Sequence, residues 1–234
     1  MDPFTLNVTS AEQDFYGDAL ILLEGAISEF LSCLQMIRRY QAHLGQRDPV
    51  ASFQARIKRA ESMQRKLAQR GLPLTAASAL RDVHDAAGVR LICPFQQDIY
   101  RTAALLREIP GARVLREKDY IRSPKPNGYR SSHMILSLPL RFLPVQPEFP
   151  VFFEVQLRTL AMDCWASIEH QLKYKQEIAM QEEIVEELRQ CADIINMTDE
   201  RMMNIRHRIE AGTKAPTEDE LMFEKLCKLD INLE

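Results

Sequence analysis

Several features are scarce or absent in this chain of 234 residues, and each absence excludes a class of protein. The five cysteines are scattered and form no CxxC pair, which argues against a disulfide framework and against a zinc site. We therefore expect mostly buried thiols. No GxxxxGK[ST] motif occurs, so the sequence does not indicate a P-loop enzyme.

Long apolar runs and a strong net charge are missing as well. No apolar run approaches the roughly 20 residues that cross a bilayer, and the N-terminus lacks the blocks of a signal peptide. We therefore predict a cytoplasmic protein without membrane contact. The net charge of −3 argues against a general nucleic-acid binder, although local basic patches could still hold phosphates.

What the sequence does contain is organised around residues 151–175, where a short strand runs directly into an amphipathic helix. Alternation predicts an apolar strand face of Val151, Phe153, Val155 and Leu157, and a second face of Phe152, Glu154, Gln156 and Arg158. The second face is either a polar working surface or the solvated side of an edge strand. Thr159 is placed to cap the helix, whose predicted stripe is Ala161, Trp165, Ile168 and Leu172.

Two earlier segments carry charges that suit phosphate and metal. Residues 51–71 are predicted to form a helix with Lys58, Ser62 and Lys66 on one face and Arg56 near its start, which fits either a polyphosphate or a solvated face. We predict a second helix over 76–87 and a strand over 89–95 from which Arg90 projects. Asp85 could hold magnesium there, or form a structural salt bridge with Arg90.

Residues 118–133, KDYIRSPKPNGYRSSH, combine turn formers with cations. Tyr129 and His133 have the spacing that puts them on one side of an extended segment, and a ring beside cations can stack on a nucleobase. The alternatives are an ordinary hairpin aromatic and a structural histidine. We expect a surface helix over 98–109, a short strand over 113–115, and a strand through Met134 and Leu136 that enters the core.

Apolar spacing predicts one long helix over 11–43 and another that ends at Gly212, and these stripes suggest mutual packing or oligomer contacts. We divide the chain into an N-terminal helical segment (1–50), a core (51–175), a long C-terminal helix (176–212) and an acidic tail (213–234). Residues 1–5, MDPFT, are typical of an expression remnant, and we base no prediction of the fold on them.

Taken in order, four blocks resemble a known family: RIKRAESMQRK (56–66), DAAGVRLICPF (85–95), KDYIRSPKPNGYRSSH (118–133) and EVQLRTLAMDCWASIEHQLKYK (154–175). They resemble the synthetase domain of the RelA/SpoT homologues, and most closely the small alarmone synthetases, single-domain bacterial enzymes that make (p)ppGpp. The resemblance implies an α/β (α+β) fold with a nucleotidyltransferase-like mixed sheet flanked by helices. It also implies transfer of pyrophosphate from ATP to the 3′-hydroxyl of GDP or GTP, with release of AMP.

The same resemblance assigns roles to individual residues. The positions that match those holding ATP are Arg56, Lys58, Ser62, Lys66 and Arg90. Asp85 matches a ligand of Mg²⁺, and Glu154 matches the carboxylate that activates the 3′-hydroxyl and can approach the metal. The positions that match the guanine-nucleotide acceptor site are Tyr129, which stacks on guanine, His133, Gln156 and Lys125.

The resemblance further suggests a homotetramer built through the terminal helices, and synthesis without hydrolysis because no His-Asp hydrolase block precedes the synthetase blocks. It leaves open the preference between GDP and GTP, and whether an alarmone or RNA acts as an allosteric ligand. Two other hypotheses stay open: a pyrophosphokinase of the same fold that uses an adenine nucleotide or an RNA end, and a non-catalytic nucleotide or RNA sensor.

Overall fold

The structure is a computed structural model that describes residues 6, 8–144, 147, 149–174 and 182–212. The helices are α1 (Ser10–Tyr16), α2 (Ala19–His43), α3 (Ala60–Gln69), α4 (Ala76–Ser78), α5 (Gln96–Arg107), α6 (Leu160–Tyr174) and α7 (Glu182–Ala211). The strands are β1 (Ser52–Ile57), β2 (Ala87–Cys93), β3 (Arg113–Asp119), β4 (Ser132–Ser137) and β5 (Phe152–Thr159). The predicted acidic tail and residues 1–5 lie outside the described residues.

The strands form one five-stranded mixed sheet in the order β1-β2-β5-β4-β3. The central strands β2 and β5 are parallel, and every other neighbouring pair is antiparallel. A parallel pair needs a long connection between its strands, which here contains α5, β3 and β4. The predicted mixed sheet flanked by helices is thus confirmed.

One face of the sheet forms the hydrophobic core under α2 and α5. The buried side chains of α2 recur at helical spacing: Leu23, Ile27, Phe30 and Leu34. The Phe30 ring meets the Phe153 ring edge-on, with 5.2 Å between centroids. Contrary to our expectation, α2 is long and apolar enough to cross a membrane by length and composition alone. Its packing on the sheet buries 33 % of that apolar window.

The opposite face is polar and runs across all five strands. Register aligns Gln54, Arg90, Gln156, His133 and Lys118 in one transverse row. Residues paired across neighbouring strands project from the same side of a sheet, so these side chains share a surface with Glu154, two residues before Gln156 on β5. The predicted alternation of β5 is confirmed, because Val151, Phe153, Val155 and Leu157 are buried.

The predicted helix over 51–71 is wrong in its first half. Residues 52–57 form β1, an antiparallel partner of β2, and the Lys58 amide donates to the Ala86 carbonyl at 2.8 Å. Residues 52–57 form a strand despite their helical periodicity. Their backbone hydrogen bonds to β2 satisfy groups that would otherwise be unpaired at the edge of the sheet. Arg56 therefore lies on a strand and Lys58 just beyond it, and only Ser62 and Lys66 lie on α3.

The predicted helix over 76–87 also ends early. The three residues of α4 continue into a π-helical turn over 79–83, and His84 then adopts the left-handed conformation at φ +62°. This reversal ends the helix and lets β2 begin at Ala87. Asp85 consequently lies in a tight turn between helix and strand, and its position was predicted correctly although the helix bounds were not.

Three further expectations need correction. The helix over 11–43 is broken at Gly17, where φ is +50°, a conformation that favours glycine. The β3 strand continues to Asp119 instead of ending at residue 115. Of the predicted α6 stripe, Trp165 is buried but Ile168 and Leu172 are exposed, because Met162, Ala166 and Glu169 share the buried side with Trp165.

The cysteine expectation is also wrong for most of the described thiols. Cys93 is buried and Cys33 is half-buried, whereas Cys164 and Cys191 are exposed. The two exposed thiols belong to α6 and α7, on sides of these helices that face away from their mutual contact. The predicted Thr159 cap is confirmed, because its Oγ1 accepts from the Met162 amide at 3.1 Å.

The predicted C-terminal helix is confirmed over 182–211, and it packs on α6 rather than on α2. Trp165 and Ala166 of α6 meet Leu188 and Ala192 of α7, and the Trp165 indole donates to the Leu188 carbonyl at 3.0 Å. The same stretch of α7 lies against the turn at Gly128. A Cβ atom at Gly128 would lie 2.5 Å from the Ala192 Cβ and 3.0 Å from the Arg189 Cα.

Replacing Gly128 with alanine should therefore separate α7 from this turn. Gly128 has φ +86° and a helix against it, whereas Gly71 has φ +66° and nothing within 4 Å of an added Cβ, so Gly71→Ala is a matched control. We expect Gly71→Ala to lose only the roughly 1–2 kcal/mol of left-handed strain, and Gly128→Ala to lose more.

The free energy of unfolding is measured in urea, and the fluorescence of Trp165, the single tryptophan, reports the α6–α7 contact. The emission of Trp165 should shift in Gly128→Ala and stay unchanged in Gly71→Ala. Equal losses of stability with unchanged emission in both variants would contradict the close approach of α7 to Gly128.

Candidate active site

A closed ring of hydrogen bonds lies on the polar face of the sheet, where β4 and β5 meet. Arg158 Nη2 donates to the Tyr129 hydroxyl at 2.9 Å and to Gln156 Oε1 at 3.0 Å. The Tyr129 hydroxyl bonds His133 Nε2 at 2.8 Å, and His133 Nδ1 bonds Glu154 Oε1 at 2.8 Å. Gln156 Nε2 closes the ring on Glu154 Oε2 at 2.7 Å.

The sheet explains why these groups meet. His133 and Gln156 are register partners on β4 and β5, while Glu154, Gln156 and Arg158 alternate along β5. Tyr129 lies in the loop between the turn at 126–127 and β4, and it reaches His133 as the spacing predicted. Glu154, Gln156, Tyr129 and His133 were predicted as site residues, and the structure brings all of them together.

Glu154 is held as a carboxylate. Burial raises its pKa, but hydrogen bonds from His133 and Gln156, together with the positive charges of His133 and Lys66, outweigh burial and lower the pKa to about 2. The side chain keeps 21 % of its surface exposed, so a ligand above the sheet can reach it. An ionised and partly accessible carboxylate can accept a proton or contribute a metal ligand.

A second cluster surrounds Asp85. Its Oδ2 accepts from Lys58 Nζ at 2.9 Å and from Lys66 Nζ at 2.5 Å. Its Oδ1 is buried and has no hydrogen-bond partner within the part of the chain that the structure describes. Burial lowers the pKa of Lys58, an effect that the neighbouring Asp85 carboxylate opposes. The alternative of an Asp85–Arg90 salt bridge is wrong, because Arg90 pairs instead with Asp163 at 3.2 Å.

The Asp85 cluster lies beside Glu154. Asp85 comes three residues before Gly88, the parallel register partner of Glu154, and Lys66 contacts Asp85 while its charge also acts on Glu154. The unpartnered Asp85 Oδ1 suits a hard cation. Among the described residues no group of three or more metal-ligating side chains occurs, a pattern that fits Mg²⁺, which is usually held by one or two carboxylates plus substrate phosphates.

The remaining predicted ATP positions border this cluster. Arg56 is exposed on β1 and makes no salt bridge to any residue that the structure describes. Ser62 is half-buried on α3, one turn before Lys66. Arg90 is half-buried on β2, and its pKa is lowered by burial and by the nearby charges of Arg158 and Arg56. Mutually repelling cations of this kind are typical of a surface that holds an anion.

Aromatic rings and a lysine border the other side of the ring of hydrogen bonds. Lys125 Nζ lies 4.8 Å from the centroid of Tyr129 and 4.9 Å from that of Tyr120. Tyr120 also meets His133 edge-on at 5.2 Å. Lys125 and Tyr129, both predicted, are thus neighbours. Sequence reasoning missed Tyr120 and Asp163, and it noted Arg158 only as a projecting guanidinium; alternation along β5 was the available signal for Arg158.

A family model and several known proteins match this chain. The family model described as a region found in RelA / SpoT proteins matches residues 55–179. The chain is 39 % identical over 163 residues to GTP pyrophosphokinase YwaC of Bacillus subtilis, covering 70 % of this chain and 77 % of that protein. It is 31 % identical over 196 residues to GTP pyrophosphokinase YjbM of the same organism, covering 84 % and 90 %.

Solved structures agree in fold. Small alarmone synthetase 2 from Bacillus subtilis superposes with a TM-score of 0.71 at 35 % identity, covering 82 % of this chain and 98 % of that one. Small alarmone synthetase 1 from the same organism, solved with its product pppGpp, gives a TM-score of 0.69 at 30 % identity, covering 78 % and 91 %. The matched region contains both clusters described above, so this chain belongs to the RelA/SpoT family.

Proposed function

We propose that this protein is a GTP pyrophosphokinase, which transfers pyrophosphate from ATP to the 3′-hydroxyl of GDP or GTP and yields ppGpp or pppGpp plus AMP. The observation that carries the proposal is the placement of an ionised Glu154 beside the Asp85–Lys58–Lys66 cluster on one open polar face. The named relatives, both GTP pyrophosphokinases, and the neighbour bound to pppGpp support the same reaction.

The release of AMP fixes which bonds change. The 3′-hydroxyl oxygen attacks the β-phosphorus of ATP, and the bond from that phosphorus to the oxygen bridging it to the α-phosphorus breaks. The hydroxyl proton passes to the Glu154 carboxylate as the new bond forms. Catalysis in such transfers comes mainly from positioning and charge neutralisation, so a base of low pKa suffices once it is correctly placed.

Cations around Asp85 supply the ATP side of the site. Arg56, Lys58, Lys66 and Arg90 provide positive charge, and Ser62 provides a hydroxyl on the same side of α3 as Lys66. In the free protein Lys58 and Lys66 both bind Asp85 Oδ2. We infer that the phosphates of ATP draw these two ammonium groups away from Asp85, since charge-assisted bonds to phosphate are strong.

The acceptor side is formed by Tyr129, Lys125, His133 and Gln156. Tyr129 offers a ring for stacking on guanine, and Lys125 lies 4.8 Å from that ring, where it can contact a phosphate of the bound nucleotide. His133 and Gln156 bracket Glu154 through hydrogen bonds. The 3′-hydroxyl of the acceptor would therefore be directed at Glu154 by groups that already hold this carboxylate.

Mg²⁺ is the proposed cofactor, with Asp85 as its principal ligand and Glu154 as a second. The residues fit the ion because Asp85 Oδ1 is buried and unpartnered among the described residues. When bound, the ion would neutralise negative charge on the phosphates of ATP. Glu154 can contribute an oxygen through a lone pair that its bonds to His133 and Gln156 leave free.

The proposed activity is tested with ATP labelled at the γ-phosphate, Mg²⁺, and GDP, GTP, GMP or ATP as acceptor. We expect label in GDP or GTP and an equal amount of AMP. Glu154→Gln should lower turnover by about 10²-fold or more because it removes the proton acceptor, while ATP binding persists. Glu108→Gln, an exposed position at the end of α5, is the matched control and should leave turnover unchanged.

Each alternative gives a different result in this assay. Transfer to ATP, or to an RNA end when RNA is added as a further acceptor, but not to guanine nucleotides, would replace the proposed acceptor. Binding without AMP release from folded protein would indicate a sensor. Normal turnover in Glu154→Gln would remove the base role from Glu154.

The metal assignment is tested with Asp85→Asn. The Mg²⁺ concentration for half-maximal activity should rise by about tenfold or more, since the change removes a carboxylate ligand. Binding of Mn²⁺ in the presence of a non-hydrolysable ATP analogue, followed by electron paramagnetic resonance, should weaken in parallel. The control is Asp82→Asn, which lies in the preceding π-helical turn. Unchanged Mn²⁺ binding in Asp85→Asn would contradict the assignment.

We also propose a homotetramer that assembles through the terminal helices. Beyond its contact with α6, α7 exposes the large apolar side chains Ile194, Met197, Met202 and Ile205, each at least 48 % exposed. An exposed apolar stripe on a long helix is typical of an interface. Resemblance to small alarmone synthetases supports four copies.

Light scattering of the wild-type protein should give four times the chain mass of 27.0 kDa. Ile205→Glu should reduce that mass, because it places a charge in the proposed interface, whereas Asn204→Glu, exposed on the neighbouring side of α7, should not. A monomeric wild-type protein, or an Ile205→Glu protein of unchanged mass, would contradict this assembly.

A further inference from the structure

We propose that Arg158 is a positioning residue for the acceptor site: its guanidinium holds Tyr129 and Gln156, the two residues that bond His133 and Glu154. This inference rests on the proposed function and names a residue that the resemblance left without a role. Arg158 is almost fully buried, with 5 % of its surface exposed, so it acts through its neighbours and not by contact with solvent or a large ligand.

The guanidinium uses both terminal nitrogens. Nη2 donates to the Tyr129 hydroxyl at 2.9 Å and to Gln156 Oε1 at 3.0 Å, and Nη1 donates to Asp163 Oδ1 at 3.0 Å. The Arg158 Cζ also lies 5.2 Å from the centroid of the Tyr129 ring. One planar group therefore contacts Tyr129, Gln156 and Asp163, which come from a turn, a strand and a helix.

Two chains of hydrogen bonds run from Arg158 to Glu154, with a donor at one end and an acceptor at the other. A guanidinium can only donate, and an ionised carboxylate can only accept. Along the first chain, the Tyr129 hydroxyl accepts from Arg158 and bonds His133 Nε2 through its proton or its second lone pair. His133 Nδ1 donates to Glu154, because the carboxylate can only accept.

The second chain orients an amide. Gln156 Oε1 faces the donor Arg158, so its Nε2 must face the acceptor Glu154, as the 2.7 Å bond requires. Glu154 thus receives one proton donor on each oxygen, and Arg158 contacts a residue next to each donor or the donor residue itself. Without Arg158, the Tyr129 hydroxyl could rotate and the Gln156 side chain could leave the position in which its amide faces Glu154.

A lysine at position 158 could not make the contacts of the Arg158 guanidinium. An ammonium is a compact charge on a flexible stem and does not present parallel donors in one plane to three acceptors. Arg158 also leaves its buried Nε without a partner among the described residues, which indicates that the acceptors around Nη1 and Nη2 determine where the group lies. Asp163 in turn pairs with Arg90 at 3.2 Å and so connects this network to the ATP side.

The kinetic test uses Arg158→Lys, with Arg122→Lys as the matched control. Arg122 also combines a carboxylate, Asp119 at 3.6 Å, with a tyrosine ring, Tyr100 at 5.4 Å, but 62 % of its side chain is exposed. We expect Arg158→Lys to lower kcat/KM for the guanine nucleotide about tenfold or more, while the dissociation constant of a non-hydrolysable ATP analogue changes less than about twofold. Arg122→Lys should leave both values unchanged.

The spectroscopic test is independent of activity. Long-range ¹H–¹⁵N correlation spectra of the histidine-labelled protein report the hydrogen bonding of each ring nitrogen, and His133→Gln identifies the His133 signals among the five histidines. The Nε2 signal of His133 should move in Arg158→Lys, because the guanidinium no longer holds the Tyr129 hydroxyl that bonds this nitrogen. Tyr129→Phe, which removes only that hydroxyl, gives the signal without the bond, and Arg158→Gln serves if Arg158→Lys does not fold.

The outcomes separate the two proposals. A wild-type protein that transfers no pyrophosphate would overturn the proposed function, whereas the Nε2 signal of His133 would still decide the role of Arg158. An Nε2 signal that stays at its wild-type position in the Arg158 variant would overturn the positioning role. Equal weakening of ATP-analogue binding and of acceptor use in Arg158→Lys would also overturn it, because it would indicate a general structural role.

Discussion

The parallel pairing of β2 with β5 is the constraint on which the rest of this molecule depends. It aligns Gly88 with Glu154 and Arg90 with Gln156, and so brings residues more than sixty positions apart in sequence into one row. The turn at Asp85 is placed beside Glu154 by the same register. The apolar side chains of both strands meanwhile point to the opposite face, where α2 and α5 exclude water. The site and the hydrophobic core therefore lie on opposite faces of the same pair of strands.

Most of the charged groups in the two clusters have a partner before substrate binds. Asp85 holds Lys58 and Lys66, Asp163 holds Arg90 and Arg158, and Glu154 accepts from His133 and Gln156. Pairing of this kind limits the cost of gathering cations on a half-buried surface. A polyanionic substrate exchanges one set of partners for another, and the positions of the side chains need change little. Such preorganisation is the main source of catalysis in phosphoryl transfer.

The long C-terminal helix links this surface to the outside of the molecule. Its first half contacts the Gly128 turn, which precedes Tyr129, and Arg130 of the same turn pairs with Asp193 of α7 at 3.1 Å. Its second half exposes an apolar stripe. One helix thus contacts the turn before Tyr129 and also exposes the surface proposed for assembly.

The sequence by itself determined the alternation of β5, the Thr159 cap and the C-terminal helix, and it named most of the residues that the structure brings together, because these depend on local periodicity or on short blocks. Only the tertiary structure decided that residues 52–57 are a strand, that His84 ends a helix with a left-handed turn, and that Asp85 pairs with two lysines rather than with Arg90. It alone also showed that Arg158 bonds both Tyr129 and Gln156. The physical reason is that a sheet edge, a salt bridge or a closed ring of hydrogen bonds gains its stability from groups distant in sequence, and no local pattern records where those partners will be.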